Sequence, residues 1–323
     1  MHQSNGTQGK GSWLRMDPVQ FSIIVPFYNK EKTLATCIES LINQSYPREG
    51  YEIILIDNDS TDNSPRIARQ YPSVRLLQEK KRGAYAARNA GILAAHGVFL
   101  VFTDADVEVP RDWLANISNA LIGDKCDILL GWEMPDCSSA MLQMHRTFVK
   151  ERIQYTLQHK QFSNLVAATS NATIKKEIFG QVGLFREVPR SEDIDFVMRC
   201  AKQGYRIAFS DAITVTKHDI DCVYVMFLKL LNYGCAKSLY INEKFPIGTK
   251  LLSAFHALKF TVVFLVRRFP KSFLIAPCHI FYFTGYCLGK SGILGKEKIS
   301  NLVARIDSAI KKQELRTGKR RSF

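Results

Sequence analysis

Two aspartates, Asp104 and Asp106, stand one residue apart directly after the apolar run at 98–103. If the chain stays extended through this pair, alternation points both carboxylates in the same direction. Mg²⁺ and Mn²⁺ are hard cations that bind carboxylate oxygens and bridge them to phosphate oxygens. The spacing therefore indicates a site for a divalent cation and a phosphate group, although such a pair also arises by chance or as turn chemistry.

Two further acidic positions stand at the ends of predicted elements. Asp57 opens the polar run DNDSTD at 57–62, and Asp193 lies in the first turn of an amphipathic helix that ends at Gly204. The helix dipole favours the ionised form of a carboxylate there, whereas the neighbouring Glu192 opposes ionisation. On position alone, Asp57 could be only a turn residue and Asp193 only a helix N-cap.

The elements that must position these acids alternate between strands and helices from about residue 21 to 216. We expect strands over 21–26, 52–56, 74–78, 98–103, 128–131, 172–174, 205–209 and 213–216, and helices over 34–42, 62–71, 84–95, 138–159 and 193–203. Alternation of this kind is typical of parallel βαβ units, in which ligands bind beyond the carboxyl ends of the strands. The acidic clusters after Ile56 and Thr103 are therefore expected to converge on one crevice.

Composition and charge limit the possible classes of protein. The chain has 323 residues, of which 46% are hydrophobic, as in a folded protein. Its 44 Lys and Arg against 30 Asp and Glu give a net charge of +14, which suits acidic partners such as nucleotides, nucleic acid or an anionic membrane. The eight cysteines form no Cys-x-x-Cys pair and several lie in apolar helical patterns, which predicts reduced thiols and a cytoplasmic location.

Three regions are predicted along the chain: a flexible tail at 1–20, an α/β domain at 21–222 and a helical region at 223–323. The tail lacks the apolar core of a signal peptide. In the last region, two apolar runs at 251–266 and 273–288 are short for membrane-spanning helices, and a basic amphipathic segment follows at 299–312. This pattern predicts peripheral association with the cytosolic face of a membrane, whereas packing on the α/β domain is the alternative.

Five segments in order resemble the family 2 glycosyltransferases over about residues 21–218. They are IIVPFYN at 23–29, ILIDNDSTD at 54–62, GAYAARNAG at 83–91, DAD at 104–106 and EDID at 192–195. The resemblance implies a GT-A type nucleotide-binding fold with a mainly parallel central sheet. To this α/β domain the sequence adds C-terminal apolar and amphipathic helices.

The resemblance also implies roles in binding a nucleotide-sugar donor. Pro26, Tyr28 and Asp57 match positions that line the nucleotide base, with Asp57 accepting a hydrogen bond from a base N–H. Arg82 and Arg88 lie in the segment that closes over the nucleotide. Arg82 belongs to a basic run at 80–82, which could equally be a solvated face.

Catalytic roles follow from the same resemblance. Asp104 would contact the ribose or the metal, Asp106 would ligate the metal, and His218 lies where some members of the family have a further metal ligand. Asp193 matches the catalytic base of an inverting transfer. A positioned base of this kind contributes on the order of a hundredfold or more to the rate.

Other classes of protein fit the sequence less well. A phosphatase of the haloacid dehalogenase type also has an Asp-x-Asp motif, but it lies near the start of the chain and is closely followed by Thr or Ser. A nucleotidyltransferase would carry a Gly-rich basic loop after its first strand, where this chain has Pro26-Phe27-Tyr28-Asn29. A basic nucleic-acid-binding protein and a catalytically inactive nucleotide-sugar-binding scaffold are the remaining alternatives.

We therefore expect an inverting hexosyltransferase that uses Mn²⁺ or Mg²⁺ and a nucleotide-sugar donor. A UDP-sugar is the favoured donor, because it is the commonest in similar families. The acceptor is expected to be lipid-linked or a cell-surface glycan, as in polysaccharide biosynthesis, since this would explain the apolar C-terminal segments. No nucleic-acid partner is expected.

Overall fold

A computed structural model describes residues 20–124, 126–136, 140–158, 169–188 and 192–218, together with 301–302, 304–306 and 308. Within these residues the chain forms one eight-stranded sheet with helices on both faces. The strand order is β3-β2-β1-β4-β7-β6-β8-β5.

The first half of the sheet is parallel. Its strands are β1 (Phe21–Phe27), β2 (Tyr51–Asp57), β3 (Arg75–Gln78) and β4 (Phe99–Thr103), and the helices between them are α1 (Leu34–Ile42), α2 (Ser64–Ala68) and α3 (Ala84–Ala94). β1 lies between β2 and β4 and is parallel to both. Each helix returns the chain to the same edge of the sheet, so these strands end together.

The second half of the sheet is mixed. Its strands are β5 (Val107–Glu108), β6 (Ile128–Pro135), β7 (Asn171–Lys175) and β8 (Ile207–Lys217), and its helices are α4 (Trp113–Asp124), α5 (Ala140–Gln158), α6 (Glu177–Val182) and α7 (Glu192–Lys202). β7 is antiparallel to β4 and to β6, whereas β6 and β8 are parallel. The predicted mainly parallel sheet is thus confirmed, with β7 inserted in the opposite direction.

Both faces of the central strands are buried. Along β1, Ile23 and Val25 pack into the core beneath α1 and α4, whereas Ile24 packs into the core beneath α3, α6 and α7. Covering both faces explains why these strands are continuous apolar runs rather than alternating ones.

Asn171, the first residue of β7, ties together β6, β8 and α4. It is 3% exposed, and its side chain donates to the carbonyls of Trp132 on β6 and Ile213 on β8, at 2.9 and 3.0 Å. Its Oδ1 accepts a hydrogen bond from the indole N–H of Trp113 on α4, at 3.1 Å. A Cβ added to Gly131 would lie 2.4 Å from the Asn171 amide nitrogen, so this close approach requires glycine at residue 131.

The observed elements differ from the predicted ones at β8, α4, α6 and β5. The strands expected at 205–209 and 213–216 are one strand, β8, which has an irregular register opposite Leu130 and Trp132. Helices α4 and α6 and the two-residue strand β5 were not predicted. In α4, Trp113, Leu114, Ile117 and Leu121 are buried at helical spacing, so the sequence did carry its signal.

The predicted tail at 1–20 and the apolar runs at 251–266 and 273–288 lie outside the described residues, apart from Gln20. In the part of the chain that is described, no helix combines the length and the apolar character needed to cross a membrane. Cys37, Cys126 and Cys200 are buried free thiols, in agreement with the prediction for these three cysteines.

Candidate active site

The carboxyl ends of β1 and β2 carry the first group of predicted site residues. Pro26 and Tyr28 flank the last residue of β1, which is in register with Asp57 at the end of β2. Asp57 is 6% exposed, and its Oδ1 accepts a hydrogen bond from the backbone N–H of Ser60 at 2.9 Å. The structure therefore brings Pro26, Tyr28 and Asp57 to one edge of the sheet.

Asn58 holds the segment 79–83 over this edge. Its side chain donates to the carbonyls of Glu79 and Lys81, at 3.0 and 2.7 Å, and accepts from the N–H of Gly83 at 2.9 Å. Gly83 has φ of +128°, a backbone conformation that favours glycine. The sequence assigned no role to Asn58, although an Asn within the polar run after β2 is the available signal.

Arg82 covers Tyr28. Its guanidinium carbon lies 3.7 Å from the centre of the Tyr28 ring, and its Nη1 donates to the carbonyls of Asn58 and Asp59 at 3.1 and 2.8 Å. The guanidinium group and the ring therefore form a stacked pair beside Asp57. The side chain of Arg82 is 48% exposed, so the pair lies at the rim of the crevice.

The Asp-x-Asp pair lies in the turn after β4 and is surrounded by cations. Asp104 accepts hydrogen bonds from Arg88 at 2.9 Å and from Lys217 at 3.0 Å, on different oxygens. Asp106 accepts a hydrogen bond from Lys30 at 2.5 Å. Burial alone would raise the pKa of Asp104, but the charges of Lys217 and Arg88 hold that pKa below its usual value.

Arg88 connects this pair to the start of α7. It lies on α3, is only 6% exposed, and donates from Nη2 to Asp104 and from Nη1 to Glu192, at 2.9 and 2.7 Å. One buried guanidinium group therefore forms an ion pair with a carboxylate on each side of the crevice. The structure thus places the predicted nucleotide-closing residue Arg88 between the predicted donor and base residues.

Asp193 lies in the first turn of α7, next to Glu192. Its Oδ1 accepts a hydrogen bond from the N–H of Ile194 at 2.8 Å. Burial and then the charge of Glu192 raise the pKa of Asp193 to about 7, against the opposing influences of Arg88 and of the backbone N–H groups of Ile194 and Thr169. A carboxylate with a pKa near neutrality is suited to accept a proton at physiological pH.

The position of α7 is fixed by Arg199 and by aromatic packing. Arg199 donates to the carbonyls of Val182 and Leu184 and pairs with Asp195 at 2.9 Å. On the buried side of the helix, Phe196 stacks on Phe179 with ring centres 4.6 Å apart. These contacts hold the acidic first turn of α7 against the crevice.

His218 contacts the Asp-x-Asp turn through its backbone. Its N–H donates to the carbonyl of Asp106 at 2.8 Å. Its imidazole nitrogens lie 3.0 Å from carboxylate oxygens of Asp136 and Glu108. The ring is therefore held by carboxylates outside the Asp-x-Asp pair, and its role as a metal ligand stays a prediction.

The chemistry of Asp104 and Asp106 fits a divalent cation. Both present carboxylate oxygens, the ligands that Mg²⁺ and Mn²⁺ prefer, and both already bind positively charged groups in this structure. Among the described residues, no group of three or more His, Cys, Asp and Glu side chains could hold a metal ion. The other ligands of a cation at this pair would therefore come from outside such a cluster, as phosphate oxygens and water do at Mg²⁺ sites.

Lys30 and Lys217 also contact the site, although the sequence analysis assigned no role to either lysine. Lys30 follows Asn29, which has φ of +51°, in the loop between β1 and α1. Lys217 ends β8, directly before His218. A lysine in a loop or at a strand end has no distinctive pattern, so no sequence signal marked either one.

The chain is similar in sequence to proteins of one known family. The model of the family Glycosyl transferase family 2 matches residues 22–183. The chain is 27% identical over 198 residues to Glycosyltransferase AglE of Haloferax volcanii, covering 58% of this chain and 64% of AglE. It thus spans less than two thirds of that relative.

A second relative is a Methanococcus voltae protein named dolichyl N-acetyl-alpha-D-glucosaminyl phosphate 3-beta-D-2,3-diacetamido-2,3-dideoxy-beta-D-glucuronosyltransferase. The chain is 34% identical to it over 245 residues, which cover 69% of this chain and 74% of the relative.

Solved structures show the same fold. The mannosyltransferase PcManGT of Pyrobaculum calidifontis, solved with GDP-Man and Mn²⁺, superposes with a TM-score of 0.59 at 20% identity, covering 84% of this chain and 86% of PcManGT. Residues 1–349 of TarS from S. aureus, solved with UDP-GlcNAc, give a TM-score of 0.53 at 18% identity, covering 84% of this chain and 91% of that structure. The family match over residues 22–183, the similarity to the Methanococcus voltae relative and the shared fold lead to one conclusion: this chain belongs to glycosyl transferase family 2 and has the GT-A fold.

Proposed function

We propose that this protein transfers a sugar, with inversion, from a nucleotide-diphosphate donor to a lipid-linked or cell-surface glycan acceptor. The observation that carries the proposal is the position of Arg88, which contacts Asp104 on the donor side and Glu192, the neighbour of Asp193, on the other side. This places a cation-binding carboxylate pair and a carboxylate with a pKa of about 7 around one crevice.

The edge formed by Pro26, Tyr28 and Asp57 is the proposed base-binding site. Asp57 is buried, and its carboxylate can accept a hydrogen bond from a base N–H. Arg82 stacks on Tyr28 and closes this edge from the side of the segment 79–83. A UDP-sugar is our favoured donor, and the UDP-GlcNAc bound by TarS supports it, whereas the GDP-Man bound by PcManGT makes a GDP-sugar the alternative.

Asp104 and Asp106 are the residues that would hold Mn²⁺ or Mg²⁺. The cation would supply positive charge that stabilises the departing nucleoside diphosphate. The Mn²⁺ in PcManGT supports a divalent metal in this protein. Arg88 contributes by keeping Asp104 ionised and in place, since it lowers the pKa of that carboxyl.

Asp193 is the proposed general base. It would accept the proton of the acceptor hydroxyl while the hydroxyl oxygen forms a bond to the anomeric carbon and the bond from that carbon to the diphosphate oxygen breaks. The attack comes from the face opposite the leaving diphosphate, so the configuration of the anomeric carbon inverts. Asp193 needs to be ionised for this step, and a pKa of about 7 leaves a large ionised fraction at neutral pH.

The proposed acceptor is supported by the name of one relative, and the proposed location is supported by the charge and the C-terminal sequence of the chain. The name of the Methanococcus voltae relative contains a dolichyl-linked sugar phosphate. The net charge of +14 and the basic amphipathic segment at 299–312 favour an anionic membrane face. We therefore propose that 21–222 is the catalytic domain and that 223–323 associates peripherally with the cytosolic leaflet.

Membrane association is tested by sedimenting the full chain with vesicles of phosphatidylglycerol and phosphatidylcholine. We expect most of the protein to sediment at 0.05 M salt and much less at 1 M salt, because screening weakens charge attraction. Equal recovery in the supernatant with and without anionic vesicles would contradict this part of the proposal.

Transfer itself is tested with radiolabelled UDP- and GDP-sugars and a polyprenyl-phosphate lipid extract as acceptor. We expect metal-dependent transfer of label to the lipid fraction and a product of inverted anomeric configuration. Asp193→Asn should reduce transfer on the order of a hundredfold or more while nucleotide binding is kept. A product of retained configuration, or full activity of Asp193→Asn, would contradict the proposed mechanism.

A further inference from the structure

Lys217 is placed between the two carboxylates of the Asp-x-Asp pair. Its Nζ lies 3.0 Å from Asp104 Oδ2 and 3.7 Å from Asp106 Oδ1, and its side chain is only 16% exposed. In this structure the Lys217 ammonium group is therefore a cation that both aspartates share.

The backbone of Lys217 is held on both sides. In the sheet, Lys217 is in register with Val107 of β5 and with Pro135 of β6. Its carbonyl accepts a hydrogen bond from the N–H of Asp136, at 2.9 Å, and the next residue in the chain donates to the Asp106 carbonyl. A fixed backbone with a long flexible side chain lets the ammonium group move while its origin does not.

Lys30, in the loop between β1 and α1, contacts the same pair. Its Nζ contacts Asp106 Oδ2, and its backbone N–H donates to Ser64 Oγ at 2.7 Å. Together with Arg88, the two lysines give three cations, which face the three carboxylates of Asp104, Asp106 and Glu192. These six groups are thus balanced in charge before a metal ion binds.

A divalent cation held by Asp104 and Asp106 would compete with the Lys217 ammonium for the same carboxylates. A displaced ammonium group on a fixed backbone stays beside the cation. There the strongest available acceptors are the oxygens of a bound diphosphate, which carry negative charge. The cation and Lys217 therefore compete for the aspartates but act together on a diphosphate.

We propose that Lys217 is a diphosphate-binding residue, which rests on the Asp pair until a divalent cation binds and then contacts the phosphate oxygens of the donor. This inference rests on the proposed function, because it requires a nucleoside diphosphate in this crevice. Lys30 is the second lysine placed to act in the same way.

The test measures two affinities of Lys217→Met by calorimetry: that of Mn²⁺ alone, and that of UDP and GDP at saturating Mn²⁺. The substitution removes the competing ammonium group, so Mn²⁺ should bind severalfold more tightly than in the wild type. It also removes a charged donor to the diphosphate, so the nucleoside diphosphate should bind about tenfold or more weakly. Lys217→Arg should keep most of the diphosphate affinity.

Lys175→Met is the matched control, because Lys175 is also a partly buried strand lysine paired with an aspartate. Its Nζ lies 2.7 Å from Asp127, and it is in register with Phe99 at the start of β4, away from the carboxyl ends of the parallel strands. Both affinities should be unchanged in this variant. If Lys217→Met fails to fold, Lys30→Met serves as the second site variant. The Lys30 side chain is 37% exposed, so its replacement should disturb the fold less.

Binding of uridine and guanosine, which lack phosphates, separates a phosphate contact from general damage to the site. Their affinities should be the same in wild type and Lys217→Met. If UDP or GDP binds the wild type, and binds Lys217→Met within about twofold of the same affinity, the role of Lys217 is wrong and the proposed function stands. If the wild type binds neither nucleotide with Mn²⁺, both proposals are overturned.

Discussion

At the scale of single residues, the site is governed by how a few cations are shared among closely spaced carboxylates. Arg88 contacts Asp104 and Glu192, and its charge also acts on Asp193. Its charge lowers the pKa of Asp104, whereas burial and the charge of Glu192 raise the pKa of Asp193 to about 7. Two aspartates of the same crevice thus have pKa values shifted in opposite directions, as the roles we propose for them require: cation binding for Asp104 and proton acceptance for Asp193.

The first prediction concerns the pH dependence of transfer. We propose that the ionised form of Asp193 is the base, so kcat/KM should rise with pH through about 7 and level off above it, in line with the raised pKa of Asp193. Glu192→Gln removes a negative charge that raises this pKa, so the rising limb should move to lower pH. Glu177→Gln, in the first turn of α6, is the control and should leave the profile unchanged. An unshifted limb in Glu192→Gln would argue against Asp193 as the titrating base.

A second prediction links the same carboxyl group to stability. The pKa of Asp193 is about 7 in the folded state and near 4 in the unfolded state. Between pH 4 and pH 7, the folded state therefore keeps a proton on Asp193 that the unfolded state releases. Unfolding is therefore favoured by rising pH across this window, and this contribution to stability is lost as pH rises to about 7. Asp193→Asn does not titrate and avoids the loss.

Thermal unfolding of the metal-free and nucleotide-free protein measures this effect. At pH 8, Asp193→Asn should melt at least about 2 °C above the wild type, and the difference should shrink toward pH 4. Equal melting temperatures at pH 8, or a difference that grows as the pH falls, would show that ionisation of Asp193 does not destabilise the folded protein.

At the scale of elements, the predictable part of the site was the part set by parallel strands. Asp57 ends β2 and Asp104 directly follows β4, and both strands flank β1, so the βαβ pattern was enough to place the two aspartates at one edge. The position of Lys217 depends instead on the pairing of β8 with β5 and β6, which are distant in the chain. The direction of the His218 imidazole depends on the same pairing, and no local pattern specifies it.

The third prediction tests the contacts by which Asn171 joins β6, β7 and β8. Asn171→Ala would leave the carbonyls of Trp132 and Ile213 and the indole N–H of Trp113 without their observed partner. Each buried polar group left in this state costs about 1–3 kcal/mol, so we expect a loss of about 3 kcal/mol or more in the free energy of unfolding.

Urea unfolding followed by circular dichroism measures that loss. Asn116→Ala is the control, because the side chain of Asn116 makes an exposed contact of 3.4 Å to Ala212 and should contribute little. A change below about 1 kcal/mol in Asn171→Ala would mean that the amide does not stabilise the junction of β6, β7 and β8.

At the scale of the whole molecule, the order of five short segments along the chain predicted the family and the fold, and both are confirmed. Each segment contains a strand end, a turn or a helix start, which are the parts of the chain that surround the crevice. The antiparallel β7 was not foreseen, since a five-residue strand of buried residues has the same pattern in either direction. The sugar, acceptor and linkage were not predictable either, because loops on a common scaffold determine them.

The central claim is that the crevice binds a nucleoside diphosphate through a divalent cation held by Asp104 and Asp106. The most direct measurement is calorimetric titration of UDP, GDP, TDP and CDP into the full chain, with Mn²⁺ and with a chelator. We predict that one of them, with UDP favoured, binds in the presence of Mn²⁺, and that Asp106→Asn weakens this binding at least about tenfold while the fold is kept. Binding that is equally tight with the chelator, or unchanged in Asp106→Asn, would contradict the claim.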